Sequence, residues 1–311
     1  MIAAAIHEAP DAKTNVISGG SSRTNWSFNV YTTTVQPAPR SRSQCAVCVL
    51  RHRGLCAGVD DLDLDGSAAL EAAHGATRVY DAGDVIYQQG DRSDQVFNLI
   101  TGWVAIHRDF ADGRRQIVEF LQPEAMFGME AAGDLMGHGA TALTNASVCP
   151  IGTAKLDDLR RRVPSLNERF IWLLQRGGRR LREAQATLGQ GSAKERIAAL
   201  LNQLAAIATG RAPMRAGAQV RIPLTQRLIA EATGLTSIHV NRVLRLLRES
   251  GVVEFQASQL RIVSPDKLRA LAEPEDDSAA RGSRLAPDEG YEDERRAPVT
   301  DRSRALLHGL A

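Results

Sequence analysis

Residues 222–263 read IPLTQRLIAEATGLTSIHVNRVLRLLRESGVVEFQASQLRIV, and their pattern sets the architecture of the C-terminal half. Thr225 is placed to cap a helix over roughly Gln226 to Ala232, since its hydroxyl can accept from the free N–H groups of a first turn. Gly234 follows, where a tight turn between helices needs a permissive backbone. Thr236 then caps a second helix running to about Ser250. Ala230, Leu235, Val240, Val243, Leu244 and Leu247 supply the inward face. Two helices about a glycine turn form a helix-turn-helix, whose second helix enters the major groove of double-stranded DNA.

The candidate DNA contacts on that second helix are Ser237, Ile238, His239, Asn241, Arg242 and Arg245. Arginine can clamp guanine O6 and N7 with two hydrogen bonds, which makes Arg242 the leading base reader. Residues 221–249 hold five Arg and two Glu, a local excess of +3 in a chain whose net charge is only +2. A solvated basic helix would show the same charge. The two caps, the glycine turn and a β-hairpin wing from Gly251-Val252-Val253 to Leu260-Arg261-Ile262-Val263 favour DNA.

Upstream, residues 153–210 read as helical. Ile171, Leu174, Gly178, Leu181, Gln185 and Leu188 recur at spacings of 3, 4, 3, 4 and 3, a heptad seam. A core-packed helix gives a similar stripe. Here Arg176, Arg179, Arg180 and Arg182 crowd the remaining positions and leave a narrow apolar face, which favours pairing with a second helix in a homodimer. Gly177, Gly178 and Gln185 weaken the seam. Gly189-Gln190-Gly191 is expected to end the helix, and Ser192 with Glu195 forms a capping box for the next one, AKERIAALLNQLAAIA.

Residues 76–150 carry short Val-, Ile-, Phe- and Tyr-rich runs punctuated by Gly83, Gly90, Gly102, Gly113 and Gly128. Such spacing indicates an antiparallel barrel or jelly roll, with Ala111-Asp112-Gly113-Arg114 as a hairpin turn.

The chain has four cysteines: Cys45, Cys48 and Cys56 in a C-x2-C-x7-C cluster, and Cys149 alone. Four thiolates suit a tetrahedral metal ion or an iron–sulfur cluster. Zinc sites more often use two paired knuckles, and Cys149 has no close partner. Unrelated structural cysteines are the plain alternative. Arg51, His52 and Arg53 either offset thiolate charge or are simply solvated. The start of the chain lacks a basic n-region, no run of about 18 apolar residues occurs, and the expectation is a cytoplasmic protein with reduced thiols and no membrane contact. Residues 1–44 are expected to be a flexible arm. Residues 273–311, with ten acids and six basic residues, are expected to be a disordered acidic tail.

A β-roll, a pairing helix and a winged helix-turn-helix together resemble the Crp/Fnr family of bacterial transcription regulators over residues 45–270. Gly234-Leu235-Thr236-x-x-His239-Val240-Asn241-Arg242 is similar to the family's recognition helix. The fold class implied is α+β: an N-terminal cyclic-nucleotide-binding-like β-roll (jelly roll), a long dimerisation helix and a C-terminal winged helix-turn-helix. The domains expected are an arm over 1–44, a cysteine-ligand loop and sensor roll over 45–158, a dimerisation helix over 159–190, a DNA-binding domain over 191–272 and a tail over 273–311.

The resemblance narrows to the Fnr-like oxygen sensors, which hold a [4Fe–4S] cluster with an N-terminal cysteine tripod and one cysteine from the roll. It implies Cys45, Cys48, Cys56 and Cys149 as ligands, zinc being the lesser alternative. It also implies a homodimer on a palindromic promoter site, RNA polymerase as a further partner, and genes of anaerobic or microaerobic metabolism. Cyclic-nucleotide-binding relatives carry a phosphate-binding Arg-Ser, where this chain has His138-Gly139-Ala140-Thr141. An anionic phosphate would lack its bidentate partner, and no cAMP is expected.

Two departures stand out. Fnr-like helices usually place Glu at Ile238 and Ser at Asn241, so the half-site differs. Leu181 lies on the seam, where an acidic residue would oppose pairing. The alternatives are a Crp-like regulator gated by another small molecule, or a thiol-redox regulator without a cluster. Neither a Ser–His–Asp set, a metal-hydrolase motif nor a phosphate loop occurs, and the seven histidines are scattered, so an enzyme is not expected.

Overall fold

The computed structural model describes residues 45, 48–51, 53–59, 70–92, 94–130, 134–210 and 214–273. The expected flexible arm and nearly all of the expected acidic tail lie outside them, as does His52.

The roll is built from eight strands: β1 (Arg78–Tyr80), β2 (Val85–Tyr87), β3 (Gln95–Thr101), β4 (Val104–Asp109), β5 (Arg115–Leu121), β6 (Met126–Phe127), β7 (Gly139–Ala142) and β8 (Ala146–Gly152). They form two antiparallel sheets, ordered β1-β8-β3-β6 and β2-β7-β4-β5. Strand alternation sorts the side chains. Phe97, Leu99, Val104, Phe127 and Val148 fill the space between the sheets. Val96 and Ile151, one position out of phase, join a separate core on the outer face of the first sheet. The Asp112–Gly113 turn forms as expected, with Gly113 at φ 85°.

The helices are α1 (Thr153–Arg162), α2 (Pro164–Gln190) and α3 (Ala193–Ala208). The seam helix therefore begins at Pro164, not at 159. Proline has no N–H to give, which suits a first turn and ends the preceding helix. Gly189 and Gln190 remain helical, and the break falls at Gly191. The Ser192–Glu195 capping box is present in both directions.

The C-terminal module follows: β9 (Gln219–Arg221), α4 (Gln226–Thr233), α5 (Ser237–Glu249), β10 (Val253–Gln256), β11 (Gln259–Ile262) and α6 (Pro265–Ala272). Thr225 accepts from Leu228 N–H and Thr236 from His239 N–H, each at 3.2 Å. Gly234 sits in the left-handed region at φ 67°. The wing turns at Ala257–Ser258, and β9 adds a third strand to it. Sequence reading missed β9, whose three residues are too short for an alternation signal.

One core runs from the roll into this module. Ala105, Ile117 and Phe120 pack in the same cluster as Ile197, Ile229, Val240 and Leu247. Gln116 Nε2 donates to the Ala232 carbonyl at 3.1 Å. Arg180 of α2 pairs with Glu119 of β5 at 3.0 Å, and burial holds the Glu119 carboxyl above its ordinary range against the pull of that arginine.

Among the described residues, no helix is long and apolar enough to cross a membrane.

Candidate functional site

On α5, Val240, Val243, Leu244 and Leu247 are buried. The other face presents Ser237, Ile238, His239, Asn241, Arg242 and Arg245, all exposed. Ile238 is 85% exposed, an apolar cost that a groove-facing contact with a thymine methyl would relieve. Arg245 lies 3.8 Å from Glu249 with both ends largely in water, a weak pairing that leaves it available. The preceding helix α4 is tied to α3 at its C-terminal end: Arg196 donates to the Gly191 carbonyl at 2.8 Å and reaches the Thr233 carbonyl at 3.5 Å.

The seam residues lie on one stripe of α2. Ile171, Leu174 and Leu181 are 44%, 40% and 39% exposed. Gln185 is exposed, and Gly178 and Leu188 are half-buried. Leu166 and Phe170 of the same helix are buried against the outer core of the roll. The stripe is thus distinct from the face that packs within the chain.

Two of the cysteines, Cys56 and Cys149, lie at the outer face of the first sheet. Cys56 sits in a short 3-10 turn, Gly54–Val59, beside Leu55, which is buried in the outer core with Leu70, Ala73, Val96 and Ile151. Cys149 is buried on β8, two residues before Ile151 and so on the same sheet face. Cys45 and Cys48 are half-buried.

His74 joins them. Its Nδ1 is 3.5 Å from the Cys45 sulfur, its Nε2 is 4.0 Å from the Cys56 sulfur, and its backbone bridges Ile151. Sequence reading placed His74 among scattered histidines. It is 18 residues beyond Cys56, and no spacing rule links the two. Among the described residues, no three His, Cys, Asp or Glu side chains are gathered closely enough to hold a metal ion.

The turn bearing Cys56 is fastened to α2. Arg169 Nε donates to the Gly54 carbonyl at 2.8 Å, while its guanidinium lies 4.2 Å from the Trp172 ring centroid. Arg53 pairs with Glu124 at 3.0 Å while its side chain stays 68% exposed, so it is the largely solvated residue of the two expectations and also reaches from the loop to the roll. Gly54 has φ +58°, and a Cβ there would stand 2.8 Å from the Glu124 carbonyl oxygen. Gly54→Ala should therefore lift the turn from the sheet at a cost of about 1–3 kcal/mol. Faster proteolysis near residue 54 in the variant would register this, and an unchanged digestion pattern would contradict it.

Asn98 stands in register with Cys149 on one side and Met126 on the other. It is 1% exposed, and neither its Nδ2 nor its Oδ1 has a hydrogen-bond partner. Each such group costs about 1–3 kcal/mol when left unsatisfied. Thiols on both sides of an imidazole and a buried thiol on the same sheet face are soft donors, the type that thiophilic iron or zinc takes, though they are not drawn together into a closed site among the described residues.

The region matching the cyclic-nucleotide phosphate cassette is internally paired. The His138 ring contacts Tyr87 Oη at 2.9 Å and Glu130 at 3.2 Å. Glu130 also accepts from Gly137 N–H at 3.2 Å. Burial holds His138 below its ordinary pKa, with Glu130 pulling the other way. Tyr87, Phe97 and Phe127 stack with centroids 5.4–6.2 Å apart.

Comparisons with known proteins agree with both modules. Residues 77–163 match the cyclic nucleotide-binding domain and residues 195–271 the Crp-like helix-turn-helix domain. The nitrogen fixation regulation protein FixK of Rhizobium meliloti is 34% identical over 193 residues, spanning 62% of this chain and 85% of FixK. The transcriptional activator protein FnrL of Cereibacter sphaeroides is 29% identical over 251 residues, spanning 79% of this chain and 97% of FnrL. The solved structure of FixK2 from Bradyrhizobium japonicum superposes with a TM-score of 0.57 at 24% identity, covering 63% of this chain and 96% of that one.

Proposed function

The chain belongs to the Crp/Fnr family of DNA-binding transcription regulators, and from that premise we propose that it is an oxygen- or redox-responsive member acting as a homodimer under control of a [4Fe–4S] cluster. The observation that carries the redox reading is the fastening of the cysteine-bearing turn to the pairing helix by Arg169 and the Gly54 carbonyl. Cys45, Cys48, Cys56 and Cys149 would hold the cluster, with His74 beside two of them. A bound cluster supplies an oxygen-labile crosslink between the N-terminal segment and β8.

The residues of this chain do the rest. Leu55 and Cys56 cover the outer face of the sheet. Arg169 transmits the position of that cover to α2. The apolar stripe on α2 pairs with its copy, and the pairing sets the spacing of two α5 helices about one helical turn of DNA apart. When the cover loosens, the population shifts toward a form that does not bind.

Arg242 reads the half-site, Ile238 contacts a thymine methyl, and Ser237, His239, Asn241 and Arg245 complete the face. Palindromic DNA in promoters of anaerobic or microaerobic genes, RNA polymerase and a cytoplasmic location follow from the same reading. The internally paired Glu130–His138 and the stacked rings favour no cAMP.

Anaerobic purification with iron, sulfide and zinc analysis tests the proposal. The expected result is a broad visible absorption that bleaches in air and is absent from Cys149→Ala. Stoichiometric zinc with no such band, or a retained band in Cys149→Ala, would overturn the ligand assignment.

A further inference from the structure

Asn98 has no role in the fold that its neighbours explain. In antiparallel register its side chain shares a face with those of Cys149 and Met126. Val96 and Ile151, two residues along each strand, lie in the outer core covered by Leu55 and Leu70. Phe97, Leu99 and Val148 point the other way, between the sheets. The Asn98 amide is therefore turned toward the layer that carries the cysteines, and Met126 offers it nothing stronger than a thioether. Both of its polar atoms are idle although the residue is 1% exposed. A neutral thiol is a poor acceptor, whereas a thiolate is a strong one.

We propose that Asn98 is a built-in hydrogen-bond donor to the sulfur of Cys149 when Cys149 is a metal-bound thiolate. The inference rests on the cysteine-site reading above and adds a positioning residue to it. In the metal-free chain the amide is a buried liability. In the loaded chain, Nδ2–H donates to the sulfur, orients the Cys149 side chain and draws charge from it. Hydrogen bonds to cysteine sulfur favour the more negative, reduced form of a cluster, and outer partners of this kind govern retention of the metal.

Asn98→Leu keeps the volume and removes the donor, and it separates this role from a structural one. The full-length protein is loaded anaerobically with ferrous iron and sulfide. Relative to wild type, the variant should bleach in air about tenfold faster. Its iron–thiolate stretching bands in resonance Raman spectra should move to higher frequency. Its metal-free melting temperature should be equal or higher, since two idle polar atoms are gone. Should Asn98→Leu fail to fold, Asn98→Ala must show the same change in bleaching and Raman bands.

Wild-type spectra and bleaching rate in a folded variant would overturn the proposal and leave Asn98 as a site for a buried water. A wild-type protein that takes up no cluster would overturn the cysteine-site reading first, and this inference with it.

Discussion

Leu174→Glu is expected to leave the protein monomeric and to weaken binding to a palindromic site by at least about a hundredfold. Leu174 is the second of the six stripe residues on α2, 40% exposed in the single chain. In a parallel two-stranded pair of helices, a seam residue packs beside its own copy. A glutamate there sets two like charges against each other in a surface that must lose its water. The intrachain face of α2 uses Leu166 and Phe170 instead, so the fold should survive. Sedimentation of the variant and its affinity for one half-site against two give the test. A dimeric Leu174→Glu protein would contradict the seam.

Arg242→Ala is expected to reduce specific DNA binding by about one to three kcal/mol per half-site, or about 5- to 150-fold, and to relax the base preference at one position. Arg242 lies on the exposed face of α5, while Val243, next to it, is buried and holds the helix. The variant should melt as wild type does. Uniform weakening across all sequences with a shallower salt dependence would reassign Arg242 to phosphate contact. Selection of preferred sites from a random pool, at fixed salt, distinguishes the two.

The DNA-binding module was legible because its signals are local. Thr225, Gly234 and Thr236 each act on the backbone within a turn of themselves, and the inward residues recur with helical period. The roll could be read from glycine spacing and strand composition. Its pairing order could not, since β8 lies between β1 and β3 across more than forty residues of chain.

The cysteine spacing pointed to metal chemistry, but two neighbours of that site were hidden. His74 reaches Cys45 and Cys56 through tertiary folding, and Asn98 meets Cys149 only through strand register. Arg169 was not singled out in the sequence, because a backbone carbonyl such as that of Gly54, which it reaches, carries no sequence signal. The seam was visible as a heptad. Its separation from the packed face became clear only once Leu166 and Phe170 were seen buried and Leu174 exposed.

In the proposed mechanism the state of the cysteine site sets DNA affinity through the Gly54–Arg169 link. The most direct measurement is the affinity of the full-length protein for one palindromic site at fixed salt, before and after air exposure of the same anaerobically loaded sample. The account predicts at least about tenfold weaker binding after exposure, with the difference largely lost in Arg169→Ala. Equal affinity before and after, in a sample whose visible band has bleached, would contradict it.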